Sequence, residues 1–330
     1  MTTMRAFHVE RYGDPERVLH LKTVDKPTPR SSEVLIKVEA ASVNDYDWCL
    51  CSGKPMEYRL FFGLFKPRAK HRCPGMEVAG TVEAIGDEVK ALKIGDRVYG
   101  DTSDHGFGSF AEYMTVNEAG LRKMPDAMIF KEAVALPHAS MLALQALRDE
   151  GNIQDGEKIL INGGGGGVGT LAMYLAKTHN AEVTGVDAGE KLERMLDMGF
   201  DHVIDYQKQD FTKLKEQYDL IVDCRTSRWP IAHLRALKPK GRYVSIGGHS
   251  GKLLSMVFSG GIIRLLTKKR LGMLSVKTNK NLDIIERLYA EGKLKTEIDG
   301  PYPFEKIPQA VKRFGDAKHI GKVVVLVGIQ

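Results

Sequence analysis

The 330-residue chain is predicted to be an α/β protein that combines a β-rich domain with a doubly wound parallel sheet. Residues up to about 125 contain short runs of small and β-branched residues cut by turn signals, a spacing typical of a compact β-barrel. From about residue 128, short apolar strands alternate with helical patterns, which is typical of a parallel sheet covered by helices on both faces. The chain also exceeds the usual size of one hydrophobic core, so two domains are expected.

The change of pattern places the domain boundaries. We predict that residues 1–125 form the first part of the β-rich domain and that residues 126–267 form the parallel-sheet domain. Residues 268–330 are predicted to return to the first domain, because the strand expected at 322–327 lacks the pattern of another βα unit.

Composition and charge make several classes of protein improbable. The apolar run at 253–266 is broken by polar residues and glycines, and it is shorter than the roughly 20 residues that cross a bilayer. The first residues have no apolar signal stretch, so we expect a cytoplasmic protein without a membrane partner. The net charge of +6 is interpreted as spread along the chain. Its densest cluster, 268–270, is too short for a nucleic-acid arm, which leaves a solvated face or a weak anion or RNA patch.

The four cysteines predict neither a disulfide framework nor a closed zinc site. Cys49, Cys51, Cys73 and Cys224 form no CxxC pair and no recurrent ligand spacing. We therefore interpret them as reduced, isolated thiols.

A run of glycines at 163–169 is the strongest functional signal. A predicted strand at 158–162 precedes it and a predicted helix at 168–178 follows, so glycines 163, 166 and 169 lie between strand and helix. Without side chains at such a turn, a pyrophosphate can approach the N–H groups at the helix N-terminus. Asp187 ends the next strand, 18 residues after the last of these glycines, near the spacing of a ribose-binding carboxylate. The pattern favours dinucleotide binding over a turn that only packs helix on sheet.

Three residues bear on the choice between NAD(H) and NADP(H). Asp187 can accept hydrogen bonds from both ribose hydroxyls and would repel a 2′-phosphate, which slightly favours NAD(H). Lys191 and Tyr206 could instead reach a phosphate, although a solvated helix face and packing on the sheet edge are alternatives for them. The predicted cofactor-binding residues are Gly163, Gly166, Gly167, Val168, Gly169, Asp187, Lys191, Tyr206 and, at the end of a strand predicted at 243–248, Gly247.

These motifs together resemble the medium-chain dehydrogenase/reductases, and within them the zinc-free quinone oxidoreductase branch that includes zeta-crystallin-like proteins. The resemblance covers the whole chain and is carried by segments 42–47, 74–80, 95–98, 163–169 and 238–242. It implies a GroES-like catalytic domain, a Rossmann domain and a homo-oligomer, either a dimer or a tetramer.

The resemblance also allows this chain to be compared with zinc-dependent members at their metal-ligand positions. Zinc-dependent members use a cysteine, a histidine before a glutamate, and another cysteine, where this chain has Asn44, Met76 and the segment 137–140. An amide and a thioether are poor zinc ligands, so no metal site is predicted.

Without zinc, the expected reaction is hydride delivery from the nicotinamide to a quinone or an α,β-unsaturated carbonyl, which needs only modest polarisation by hydrogen bonds. Asn44 is a candidate to donate a hydrogen bond to the substrate oxygen, or else it caps the turn. Tyr46 and Trp48 are candidates to line the pocket, or else they pack in the core, and Asp47 is expected to hold the turn.

Two departures from the branch keep alternatives open. Leu142 stands where the branch has a threonine that contacts the nicotinamide, and residues 58–72 are unusually basic and aromatic. The second feature is interpreted either as a pocket lid or as ordinary loop packing. Alternative functions are an enoyl-thioester reductase and a cofactor-binding protein with little catalysis.

Overall fold

The computed structural model describes residues 2–247 and 250–328. It contains two compact units, each with its own buried apolar cluster. The first unit consists of Met1–His138, Thr278–Leu282 and Ile298–Gln330, and the second consists of Ala139–Lys277 and Asp283–Glu297. No helix among the described residues has the length and apolar character needed to cross a membrane.

Strands and helices follow one another along the chain. The strands are β1 (Thr3–Val9), β2 (Leu19–Asp25), β3 (Glu33–Val43), β4 (Glu77–Ile85), β5 (Arg97–Asp101), β6 (Tyr113–Asn117), β7 (Arg122–Lys123), β8 (Lys158–Asn162), β9 (Glu182–Asp187), β10 (His202–Asp205), β11 (Tyr218–Asp223), β12 (Leu237–Ser245), β13 (Arg270–Met273), β14 (Ile298–Pro303) and β15 (Lys322–Leu326). The helices are α1 (Pro15–Val18), α2 (Asp45–Ser52), α3 (Arg59–Phe62), α4 (Phe130–Ala133), α5 (Pro137–Gln145), α6 (Gly167–Lys177), α7 (Leu192–Met198), α8 (Ser250–Thr267), α9 (Leu282–Ala290) and α10 (Ile307–Gly315).

The first unit is built around a seven-stranded sheet. Its strand order is β14-β15-β3-β4-β5-β7, and β6 also pairs with β3. All pairs are antiparallel except β14 with β15. β3 is the longest strand, and its β-branched side chains are buried, whereas Lys37 is exposed. β15, the last strand predicted from the sequence, pairs with β3 in this sheet.

The second unit contains a six-stranded parallel sheet in the order β10-β9-β8-β11-β12-β13. Numbered within the unit, this is 3-2-1-4-5-6, the order of a doubly wound dinucleotide-binding sheet. The order changes direction at β8, and ligands bind outside the carboxyl ends of the strands at such a point. The glycine run directly follows β8, so it lies at that edge.

Three local predictions differ from the structure. The apolar pattern of residues 231–237 predicts a helix that ends at residues 238–241, but the structure has a shorter 3₁₀ turn, Pro230–Arg235, because Leu237 is already paired with Tyr218 of β11. Residues 238–241, predicted to end that helix, form a bulge in β12, where the pairing passes from Leu237 to Arg242. The strand predicted at 243–248 ends at Ser245 in the structure, and residue 248 lies outside the described residues.

The compact units also divide the chain at other positions than 125 and 267. Residues up to His138 group with the first unit, and β13 pairs with β12 as the sixth strand of the second unit. The pattern at 270–273 is short and partly exposed, which is why it carried no strand signal. The predicted domain boundaries at 125 and 267 stay a prediction.

Candidate functional site

The first group of predicted residues lies where β3 ends and α2 begins. The carboxylate of Asp47 accepts the backbone N–H of Asn44 at 2.9 Å and that of Gly75 at 2.8 Å. Burial raises the pKa of Asp47 to about 7, although these two N–H donors oppose the increase. Asp47 therefore holds the turn, as expected from the sequence.

A buried carboxylate, Glu77, links this turn to β15. Its Oε2 accepts hydrogen bonds from Asn44 Nδ2 at 2.8 Å and from Lys322 Nζ at 2.7 Å, and the hydroxyl of Ser42 donates to the same oxygen. Lys322 Nζ also donates to Asn44 Oδ1 at 2.5 Å. Glu77 is fully buried, so its charge depends on these partners for compensation.

Both polar atoms of the Asn44 side chain form hydrogen bonds within this network. Its amide nitrogen donates to Glu77 and its oxygen accepts from Lys322, while the residue is only 4% exposed. A direct hydrogen bond from Asn44 to a substrate would have to compete with these bonds.

His138 and Asp101 form a second buried ion pair in the first unit. His138 Nδ1 lies 2.8 Å from Asp101 Oδ2, and the backbone N–H of His138 donates to Glu77 Oε1 at 2.6 Å. His138 Nε2 is 3.8 Å from Asp45 Oδ1, which is beyond hydrogen-bond distance. Burial by itself would lower the pKa of His138, but the hydrogen bond and charge of Asp101, with the charges of Asp45 and Glu77, raise it to about 9. The imidazole is therefore protonated at neutral pH, and its Nε2–H has no acceptor within hydrogen-bond distance among residues 2–247 and 250–328.

Tyr46 lies one residue into α2, and its ring belongs to an aromatic cluster. The ring centroid is 5.9 Å from that of Tyr58, 6.2 Å from that of Phe62 and 6.4 Å from that of Phe107. Burial raises the pKa of the Tyr46 phenol, so the hydroxyl stays protonated and can donate a hydrogen bond. Trp48 is partly buried against the apolar core of the first unit, which is the packing alternative considered for it.

The positions that bind zinc in metal-dependent relatives have other partners here. Met76 is fully buried, and the amide of Asn44 is bonded within the network of Glu77. Within residues 2–247 and 250–328, no three His, Cys, Asp or Glu side chains are arranged to hold a metal ion. The four cysteines are free thiols.

In the second unit, the glycine run connects β8 to α6. Gly163 has a φ of 82°, and a Cβ at Gly169 would lie 2.3 Å from the carbonyl oxygen of Gly163, so both positions require glycine. Gly166 is the N-cap residue of α6 and provides no side chain for the N–H groups of the first turn. That turn begins with Gly167, Val168 and Gly169. The first turn of α6 therefore has no side-chain cap on its N–H groups, and these groups with the positive end of the helix dipole fit a pyrophosphate.

Asp187 at the end of β9 lies against this loop. Its Oδ2 accepts the N–H of Gly165 at 2.9 Å, and its Oδ1 accepts the N–H of Ala188 at 2.9 Å. Lys191 Nζ lies 3.1 Å from the same Oδ1. Lys191 is only 3% exposed, so the solvated-face alternative considered for it is wrong. It faces inward because residues 189–191 form a 3₁₀ turn before α7 begins.

The remaining predicted cofactor residues lie at the ends of neighbouring strands. Tyr206 follows β10, is 51% exposed, and donates its backbone N–H to the carbonyl oxygen of Asp187 at 3.3 Å. Gly247 follows β12, and a Cβ there would meet no atom within 4 Å. The structure therefore brings the loop, Asp187, Lys191 and Tyr206 together, and it leaves open space at Gly247.

Several site residues were not predicted individually. Glu77 lies in the segment 74–80, which carried the family resemblance, and His138 lies in the segment 137–140, which was compared with a zinc-ligand position; the titratable side chain in each was the available signal. Asp101 and Lys322 gave none, because their partners are 37 and 245 residues away in the chain.

Comparisons with known proteins agree with this geometry. Residues 30–126 match the family model of an alcohol dehydrogenase GroES-like domain, and residues 198–325 match that of a zinc-binding dehydrogenase. The chloroplast envelope quinone oxidoreductase homolog of Arabidopsis thaliana is 32% identical over 331 residues, which cover 98% of each protein. The 2-methylene-furan-3-one reductase of Solanum lycopersicum is 32% identical over 339 residues, 98% of this chain and 79% of that protein. The structure of the quinone oxidoreductase from Coxiella burnetii matches with a TM-score of 0.84 at 27% identity, covering 99% of this chain and 100% of that one.

The chain is an oxidoreductase of the medium-chain dehydrogenase/reductase superfamily. Within it, the chain belongs to the quinone oxidoreductase-like branch, with a GroES-like domain and a Rossmann-like parallel sheet. The fold class and the resemblance predicted from the sequence are confirmed. Members of this superfamily bind NAD(P)H, which is consistent with the glycine loop of the second unit.

Proposed function

We propose that this protein uses NAD(P)H to reduce quinones or α,β-unsaturated carbonyls without zinc. Two relatives are named for such acceptors, a quinone and a methylene-furanone. The observation that carries the proposal is the His138–Asp101 pair beside the Glu77 network. This pair positions a protonated imidazole in a region where metal-dependent relatives have metal ligands. A single imidazole nitrogen does not make a zinc site, which needs about three protein ligands.

The nicotinamide, when bound, supplies the hydride. The glycine loop and the first turn of α6 would hold its pyrophosphate, and Asp187 would accept a hydrogen bond from the adenosine ribose. Lys191 would keep the Asp187 carboxylate compensated and oriented. We propose that this arrangement favours NAD(H), because Lys191 is already paired and Asp187 would repel a 2′-phosphate.

The protein must also supply a proton, since reduction of a quinone or an enone adds one hydride and one proton. We assign this proton to His138 Nε2. Transfer to the substrate oxygen leaves a neutral imidazole that still donates its Nδ1–H to Asp101, and water restores the proton. Asp101 thus keeps one tautomer and one ring orientation through the step.

Tyr46 and Asn44 complete the proposed catalytic group. The Tyr46 hydroxyl would hydrogen-bond to the substrate oxygen and stabilise the charge that develops there. Asn44 would act as a positioning residue, because its amide orients Glu77, which in turn bonds the backbone N–H of His138.

The proposed assembly rests on the resemblance, and the proposed location rests on the composition of the chain. We propose a cytoplasmic homodimer or homotetramer. No specific contact favours an enoyl-thioester reductase or a cofactor-binding protein with little catalysis.

Turnover of defined acceptors tests the proposed function. The purified protein is mixed with NADH or NADPH and with 1,2-naphthoquinone, phenanthrenequinone or a simple enone, and cofactor oxidation is followed by absorbance. We expect turnover with at least one acceptor, and a loss of about 10²-fold in kcat for His138→Gln. Tight NADH binding without oxidation by any acceptor would exclude the reductase function. An unchanged kcat in His138→Gln would exclude only the assigned proton donor.

A further inference from the structure

An exposed apolar surface lies in the first unit, within the segment 54–72. Five large apolar side chains in ten consecutive residues face solvent, with Phe61 70% exposed and Phe65 87% exposed. The five are Met56, Leu60, Phe61, Leu64 and Phe65. Contiguous apolar surface of this kind marks an interaction site more often than a free surface.

This segment is folded and held by the rest of the unit. The hydroxyl of Tyr12 donates to the carbonyl oxygen of Gly63 at 2.5 Å, and the guanidinium of Arg59 donates to that of Gly53 at 3.0 Å. The ring of Phe62 is buried, with its centroid 5.9 Å from that of Phe107. The apolar side chains are therefore presented by an anchored backbone.

Positive charge surrounds the same surface. Residues 54–72 contain six lysines and arginines and one glutamate, a net charge of +5 in a chain whose total is +6. Lys66, Arg68 and Lys70 directly follow Phe65 and are exposed. The positive excess is thus concentrated in this segment, whereas the sequence had been interpreted as spreading it along the chain.

Apolar side chains flanked by cations fit one kind of partner best. A nucleic acid would use the cations and leave the apolar groups in water, and a second copy of this surface would bring like charges together. An anionic bilayer satisfies both features, because aromatic side chains enter the headgroup boundary while cations meet the lipid phosphates.

We propose that the segment 54–72 docks this protein on an anionic lipid surface. Phe61 and Phe65 enter the interface, and Lys66, Arg68 and Lys70 contact the headgroups. This inference revises the expectation of no membrane partner, and it is independent of the proposed reaction.

Vesicle co-sedimentation of the full chain tests the proposal. We expect binding to vesicles of phosphatidylcholine with phosphatidylserine at about 0.15 M salt, and much weaker binding at about 1 M salt or to phosphatidylcholine alone. The double variants Phe61→Ser/Phe65→Ser and Lys66→Glu/Lys70→Glu should each lower the affinity at least about tenfold. Both should keep NADH binding, which reports that the protein is folded.

Matched control variants replace exposed apolar and basic side chains outside the segment 54–72. Leu265 and Leu266 in α8 are 83% and 77% exposed, and Lys268 and Lys269 belong to the densest basic cluster of the sequence. Leu265→Ser/Leu266→Ser and Lys268→Glu/Lys269→Glu should leave vesicle binding unchanged.

Three outcomes would overturn the proposal. The first is that the protein does not bind anionic vesicles, or that the control variants at 265–266 and 268–269 lower vesicle binding as much as the variants in the segment 54–72. The second is conversion of an oligomer to a monomer by Phe61→Ser/Phe65→Ser without any vesicle binding, which would assign the surface to a second copy. The third is a raised KM for a water-soluble quinone without vesicle binding, which would make the segment a pocket lid.

Discussion

The ion pair of His138 and Asp101 makes a quantitative prediction about pH. The pKa of His138 is raised from an ordinary 6.5 to about 9, and the difference corresponds to roughly 3 kcal/mol in favour of the protonated folded form. The groups that face this imidazole are Asp101 on β5, Asp45 on α2 and Glu77 on β4. Replacing Asp101 by Asn removes the largest favourable partner and leaves burial to dominate, so the pKa of His138 should fall below 6.5.

Titration of the imidazole C–H resonances by NMR measures this directly. His71 is the control, since burial lowers its pKa and it has no contact with Asp101.

The raised pKa of His138 should also make the free energy of unfolding depend on pH. Because the folded pKa lies above the unfolded one, the contribution is full below pH 6.5 and is lost as the pH rises through about 9. In urea unfolding, the difference between wild type and His138→Gln should therefore shrink by up to about 3 kcal/mol between about pH 6 and about pH 10. A pKa unchanged by Asp101→Asn, or a stability difference that does not vary with pH, would refute the assignment.

Three further substitutions test the two sites. Asp187→Ser should shift the ratio of kcat/KM values toward NADPH by about tenfold or more, because it removes a charge that repels the 2′-phosphate; an unchanged ratio would contradict the ribose assignment. Lys322→Met should lower the free energy of unfolding in urea by about 3–5 kcal/mol, because it leaves Glu77 buried without its cation, and adding Glu77→Gln should restore most of the loss. Gly169→Ala should weaken NADH binding at least about tenfold by fluorescence titration, since the new methyl would lie 2.3 Å from a loop carbonyl, whereas Gly261→Ala, which meets no atom within 4 Å, should not.

Features formed by residues that are close together in the sequence were predicted better than features formed by residues far apart. The glycine loop, its flanking strand and helix, and Asp187 lie within 30 residues, so spacing and periodicity were sufficient to predict them. The inward position of Lys191 depended on where a turn ends and α7 begins, which is the least predictable property of a helix.

The buried charges of the first unit could not be paired from sequence. Glu77 meets Lys322 because β3 lies between β4 and β15 in the sheet, and nothing in the local pattern specifies that order. His138 was within a segment identified by resemblance, but its role depends on Asp101 at the end of another strand. Sequence reasoning therefore placed the glycine loop next to Asp187, and it reached the proposed catalytic group only through the turn at 44–47.

The separation of 245 positions between Glu77 and Lys322 along the chain also constrains how the protein is made. During synthesis, β3 and β4 leave the ribosome long before β15, and the whole of the parallel sheet is translated in the interval. The second unit can complete its folding first. Until β15 is made, the first unit has β3 as an unpaired sheet edge and Glu77 without the cation of Lys322. We therefore expect nascent chains stopped before β15 to bind dinucleotide yet depend on chaperones, with addition of the last strand acting as the committing step.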